Sequence, residues 1–165
     1  MPFMRQRVFP QSVAIHSSKE NVIVSDAIVH VTNHSTRDLF IARDPNWDDQ
    51  VLFLDGRRLN RAHRLGPEES ADVSVPMGPN DGAKEYLMGV IFADGRDYDY
   101  GSAGAYQMAI GHHSETGLLG VTDESTIKRP AMRYTMTDHA PWSVRMDFVD
   151  APADEPAAPP RGLAY

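Results

Sequence analysis

The sequence predicts an all-β chain, an antiparallel β-sandwich of immunoglobulin-like or jelly-roll-like type, with about nine to ten short strands and little or no helix. Three observations carry this. Apolar residues recur with period two in most of the chain, turn dipeptides separate the runs, and no window of about 12 residues carries a helical apolar stripe. Trp142, Val144, Met146 and Phe148 alternate with Ser143, Arg145 and Asp147. Ala71, Val73 and Val75 alternate with Ser70, Asp72 and Ser74, and Met132, Tyr134 and Met136 with Arg133, Thr135 and Thr137. Ala27, Val29 and Val31 oppose Ile28, His30 and Thr32 within a β-branched run over 21–32. Tyr86 to Ala93 is apolar on both faces, as suits a central strand covered on both sides.

Asp-Gly, a pair that suits positive φ in tight turns, stands at Asp55-Gly56, Asp81-Gly82 and Asp94-Gly95. The first lies between Val51–Leu54 and Arg57–Leu59 and predicts a hairpin. Strands are expected over roughly 6–15, 21–32, 38–43, 50–54, 57–60, 70–76, 84–93, 104–110, 130–137 and 142–149. The best helical candidate is a single turn at Arg58–Arg64. The succession of breaks and strands from Asn33 to Val75, with Gly66-Pro67-Glu68-Glu69-Ser70 leading into an alternating strand, resembles the middle of immunoglobulin-like accessory domains. That resemblance implies a fold class and no activity.

The chain has 165 residues, enough for one domain whose core needs no covalent staple. Residues 1–150 are expected to form it, with 151–165 a Pro/Ala-rich tail that is flexible or laid over the domain as a strap. Four of the 12 prolines stand in that tail. With no cysteine, disulfides, thiolate chemistry, Fe–S clusters and cysteine-based zinc or type-1 copper sites are excluded. The net charge of −7 argues against nucleic-acid binding. No apolar stretch is long enough for a membrane span. No apolar segment follows Arg5 and Arg7, so no secretory signal is predicted. A cytoplasmic location is the expectation, with non-classical export as the alternative. Asn33-His34-Ser35 matches the glycosylation triplet.

Three clusters could carry chemistry. Asp94, Asp97 and Asp99 lie in the run Asp94-Gly95-Arg96-Asp97-Tyr98-Asp99-Tyr100-Gly101, where glycines let alternate carboxylates converge on a hard cation. The run resembles the acidic loops of calcium-dependent β-sandwich proteins, among them the soluble bacterial lectins that bind sugar through calcium and the tellurite-resistance stress proteins. The expectation is that no cofactor is required, with calcium as the option that the resemblance implies. Ser102-Ala103-Gly104 replaces the further acidic or amide residues of those families, and no acidic residue closes the loop between Gly101 and Met108.

His112, His113 and Glu115, with His139 and His16 elsewhere, could supply three metal ligands. Adjacent strand residues face opposite sides, so His112 and His113 could share a metal only at a turn. Arg57, Arg58, Arg61 and Arg64 form a basic segment in an acidic chain, suited to gripping a carboxylate or phosphate. Trp47 stands in the polar run Asp44–Asp49, placed for sugar stacking, for a protein contact or for folding back to cap the sandwich.

No Gly-x-Ser-x-Gly elbow, phosphate loop or dinucleotide fingerprint occurs. The expectation is a non-enzymatic, soluble binding module that recognises a protein, a small molecule or a carbohydrate. Loops at one end of the sandwich would do this, using Trp47, Tyr98, Tyr100, Arg57, Arg58 and Arg61, with calcium assistance from the Asp94–Asp99 run. One alternative is an assembly subunit that forms homo-oligomers through edge strands and the tail. The other is a metal-dependent enzyme using the His/Glu cluster.

Overall fold

The computed structural model describes residues 25–47, 50–95, 104–126 and 130–152. These form eleven strands and no helix: β1 (Ser25–Asn33), β2 (Leu39–Arg43), β3 (Phe53–Leu54), β4 (Arg57–Arg58), β5 (His63–Leu65), β6 (Ser70–Met77), β7 (Met88–Ala93), β8 (Ala105–His112), β9 (Leu119–Thr126), β10 (Met132–Thr137) and β11 (Ser143–Asp150). A six-stranded sheet has the order β10-β11-β1-β6-β3-β4, and a five-stranded sheet the order β5-β2-β7-β8-β9. The two make a β-sandwich. Pairing is antiparallel except between β1 and β11, which run parallel with Val29 opposite Val144 and Val31 opposite Met146.

The alternating runs put their apolar set between the sheets. Ala27, Val29 and Val31 of β1, Ala71 and Val73 of β6, and Val144, Met146 and Phe148 of β11 are buried there. They meet Leu39 and Ile41 of β2, Val90 and Phe92 of β7, and Tyr106, Met108 and Ile110 of β8. Phe92 and Phe148 touch across the sandwich with centroids 5.2 Å apart, and Tyr106 meets Tyr134 edge-on at 5.0 Å. Burying each such side chain contributes roughly 1.5–3 kcal/mol, which is how a chain without disulfides sustains this fold. Burial holds the Tyr106 phenol above its ordinary pKa, partly offset by the hydrogen bond from Arg133. The protonated hydroxyl donates to the carbonyl of Met132 at 2.9 Å. Trp142 departs from the alternation: it precedes β11, is 38% exposed, and stands edge-on to His112.

The Asp55-Gly56 hairpin forms as expected. Both residues have positive φ, 50° and 82°, in the two-residue turn that matches strand twist. The Arg58–Arg64 segment forms no helical turn. It leaves β4 at the edge of one sheet, buries Leu59, and enters β5 at the edge of the other. A switch between sheets needs extended backbone at both ends, which a helical turn would shorten. β9 is a further strand that the alternation missed. The expected strand over 6–15, together with His16 and residues 153–165 of the tail, lies outside the described residues.

Asn33 is fully buried and serves structure. Its side-chain nitrogen donates to the carbonyls of Arg37 at 2.7 Å and Leu65 at 2.9 Å, while its oxygen accepts from the amide and hydroxyl of Ser35. In the folded chain this amide is closed to glycosylation.

Candidate functional site

Trp47 follows β2 in a turn built by its own neighbours. The buried Asp44 carboxylate accepts from the backbone N–H of Asn46 at 2.9 Å, and the N–H of Trp47 donates to the Asp44 carbonyl at 3.1 Å. Gln50 then clamps the loop to β7. Its side-chain nitrogen donates to the Gly89 carbonyl at 2.9 Å and its oxygen accepts from the Gly89 N–H at 2.6 Å. The amide thus stands in for a strand partner beyond the end of β2. Arg43 adds bonds to the carbonyls of Trp47 and Gln50.

The result is a half-buried indole laid on the outer face of the five-stranded sheet. Gly89 makes this contact feasible: a Cβ there would come within 2.5 Å of the indole Nε1. Its neighbours Met88 and Val90 point into the core, so Gly89 faces outward. Tyr86, 53% exposed, stands beside Trp47 with centroids 6.5 Å apart and planes tilted by 58°.

These two rings wall a groove of about 390 Å³. Strand register fixes the rest of it. Gly89 pairs with Ala109 and Ala109 with Asp123, while Gln107 pairs with Ser125. Asp123, Ser125, Gln107 and Ala109 line the groove opposite the rings, and Asp44 and Asn46 close its near end. A bulge between Ala109 and Ile110 makes Thr122 the extra residue of β9 and sets Asp123 on the outer face.

Gln107 is the anomaly. It is 5% exposed, and neither its side-chain nitrogen nor its oxygen has a hydrogen-bond partner among the described residues. Leaving a buried amide atom unpaired costs about 1–3 kcal/mol, so such a group calls for an explanation.

The other expected residues are placed as follows. Arg57, Arg58 and Arg61 are exposed and line a separate cleft of about 610 Å³ with His63. Asp94 accepts from the N–H of Ala131 and packs against Gly104, whose φ of 75° and missing Cβ admit the carboxylate. Phe40 pairs with Ala93 and Arg43 with Val90, so Asp94 and Trp47 follow opposite ends of the β2–β7 pair. The expectation that Trp47 and Asp94 share one end of the sandwich is therefore corrected. Antiparallel pairing of β2 with β7 sends the loops that follow them to opposite ends. Asp97, Tyr98, Asp99 and Tyr100 lie outside the described residues.

His112 is buried, with its ring nitrogens facing the carbonyls of Lys84 at 3.1 Å and Pro141 at 2.8 Å. Both ring nitrogens are thus engaged by backbone carbonyls. His113 and Glu115 instead line a surface cavity with His139, whose Nδ1 is held by the Leu119 carbonyl at 2.7 Å. Among the described residues no three His, Asp or Glu side chains converge on a point that could hold a metal ion. Among the same residues no helix is long and apolar enough to cross a membrane.

Sequence reasoning missed Tyr86 and Gln107 as site residues. Gly89, isolated in an apolar strand, was the available sign of a close approach by another group.

No protein-family model and no curated protein matches the chain. Among solved structures it is similar to IP-1A from Alcaligenes faecalis, with 8% sequence identity and a TM-score of 0.50 over 84% of this chain and 99% of that one. At that identity the likeness bears on fold alone, and it agrees with the β-sandwich architecture derived above.

Proposed function

We propose that the protein is a binding module for a hydroxyl-rich ligand, a carbohydrate, held in the groove between the Trp47–Tyr86 wall and the Gln107–Asp123–Ser125 side. The observation that carries this reading is a groove walled by two aromatic rings and lined in part by Gln107, whose buried amide has no hydrogen-bond partner among the described residues. Sugars present an apolar C–H face and a rim of hydroxyls. An indole and a phenol suit the face, because each joins a flat apolar body to a polar edge. Hydroxyls both donate and accept, so they pair with an amide, which has donors and an acceptor, and with carboxylates, which accept. The groove volume of about 390 Å³ falls in the range of small-ligand sites. The Gln50 clamp and the Gly89 seat hold Trp47 in place before binding, which lowers the ordering cost of association. Selectivity would come from Gln107, since an analogue lacking the matching hydroxyl leaves its buried amide unpaired.

Tryptophan fluorescence tests the reading. In a Trp142→Phe background the emission reports Trp47 alone, as the chain has two tryptophans. A panel of neutral and acidic oligosaccharides is titrated to about 10 mM, above the range in which weak millimolar sites saturate. At least one is expected to give a saturable shift, and Trp47→Ala, followed by calorimetry, should weaken it at least about tenfold. No saturable response across the panel, or equal affinity in Trp47→Ala, would overturn the reading.

A further inference from the structure

The strap from β4 to β5 carries a second feature outside the groove. Arg57, Arg58, Arg61 and His63 line one cleft of about 610 Å³ together with Asn60 and the apolar Leu54, Leu59 and Ala62. Three other cations of the fold are paired with carboxylates: Arg64 with Asp38 at 2.7 Å, Lys84 with Asp81 at 2.9 Å, and Arg145 with Asp147 at 3.2 Å. The bond to Asp38 also holds the Arg64 guanidinium above its ordinary pKa. Arg57, Arg58 and Arg61 have no carboxylate partner among the described residues. The cleft's one lining carboxylate, Asp55, has its Oδ1 engaged by the N–H of Asp72 at 2.8 Å. Three arginines without a carboxylate partner among the described residues border this cleft and raise a local positive potential in a chain whose net charge is −7.

The cleft is also built on fixed backbone. The positive-φ Asp55-Gly56 turn opens it, the N–H of Asp55 donates to the Asp72 carbonyl at 2.8 Å, and the N–H of Leu59 donates to the Leu52 carbonyl at 2.8 Å. A second cavity, of about 220 Å³, shares Arg58, Leu59 and Asn60 with it and is bordered by Arg43 and Gln50.

We propose that this arginine cleft is a distinct site for a small ligand bearing two or more oxyanion groups, phosphate or sulfate. Guanidinium forks bind such groups through paired N–H donors, and several forks on one cleft fit several oxyanions on one molecule. The volume suits a small ligand. An extended polyanion such as nucleic acid would meet the net negative charge of the surrounding chain. The buried Leu54 and Leu59 line the cleft beside the charges and would accept the ligand's carbon frame.

The test uses two probes, inorganic tripolyphosphate and sucrose octasulfate, titrated by calorimetry into the full chain. At least one is expected to bind saturably, with affinity falling as ionic strength rises. The tighter probe identifies the phosphate or the sulfate source. Arg57→Gln/Arg58→Gln/Arg61→Gln should weaken that binding at least about tenfold, because charge-assisted hydrogen bonds are lost. Trp47→Ala should leave it unchanged, which separates this site from the carbohydrate groove. Amide chemical-shift changes in the unmodified protein should centre on residues 55–63, a readout that holds even if the triple variant folds poorly. No saturable binding of either probe, shift changes centred elsewhere, or full affinity in a folded triple variant would overturn the proposal.

Discussion

The two sheets differ most on the faces they turn away from each other. The six-stranded sheet shows alternating polar residues whose pairs satisfy one another. His30 bonds Asp72 at 2.7 Å, Thr32 meets Ser70 at 2.9 Å, and Arg145 bonds Asp147 at 3.2 Å. This is the solvated side of a half-buried, mainly antiparallel sheet. The five-stranded sheet turns out small and apolar residues instead. Ala42, Ile91, Ala93 and Ala105 are buried in a second apolar cluster with Phe40 and Ala62. Beside that cluster, Gly89 and Ala109 form a low floor under Trp47, and the Gln107 amide is left unpaired. One face is complete as it stands; the other holds a seat, a wall and an unmet hydrogen-bonding group. That contrast places the candidate site.

The largest expected effect breaks the seat. Gly89→Val puts side-chain atoms where the indole lies, so Trp47 must leave the sheet. The expected cost is about 1–3 kcal/mol in chemical denaturation, with a red-shifted Trp47 emission and loss of oligosaccharide binding. The complementary change on the other sheet should be far smaller. His30→Ala removes an exposed pair with Asp72, whose side chains are 50% and 51% accessible. Its expected effect is within about 0.5 kcal/mol with oligosaccharide affinity unchanged. If the two variants cost the same, the faces are not different in kind.

Much of the sandwich was legible because burial on one face imposes period two. β1, β6 and β11 bury the residues that the alternation marked, Val75 and Trp142 excepted, and the run ending at Ala93 is the central, fully buried β7. Asp55-Gly56 announced its hairpin because few other pairs tolerate two positive φ values. β9 was hidden because the bulge at Ala109/Ile110 breaks its alternation, so Leu119–Thr126 reads as a polar loop. β5 was hidden because three residues are too few for a period.

The site was only half legible. Trp47 stood out as an aromatic residue in a polar run. Its partner Tyr86 and the Gln107 amide are brought to it by sheet order, which local patterning does not encode. The same order separates Trp47 from Asp94. The arginine segment was legible as charge; which arginines are paired became visible only in the fold.

The central claim is that Gln107 is kept at a cost to stability because a ligand completes it. Differential scanning calorimetry of Gln107→Leu, with and without an oligosaccharide found in the titration panel, tests this most directly. Without ligand the variant should melt higher than the parent, since replacing an unpaired buried amide with an apolar group of similar size removes a penalty of about 1–3 kcal/mol. With saturating oligosaccharide the parent should gain several degrees by mass action and the variant little. A variant that melts lower and keeps the full ligand-induced gain would contradict the claim.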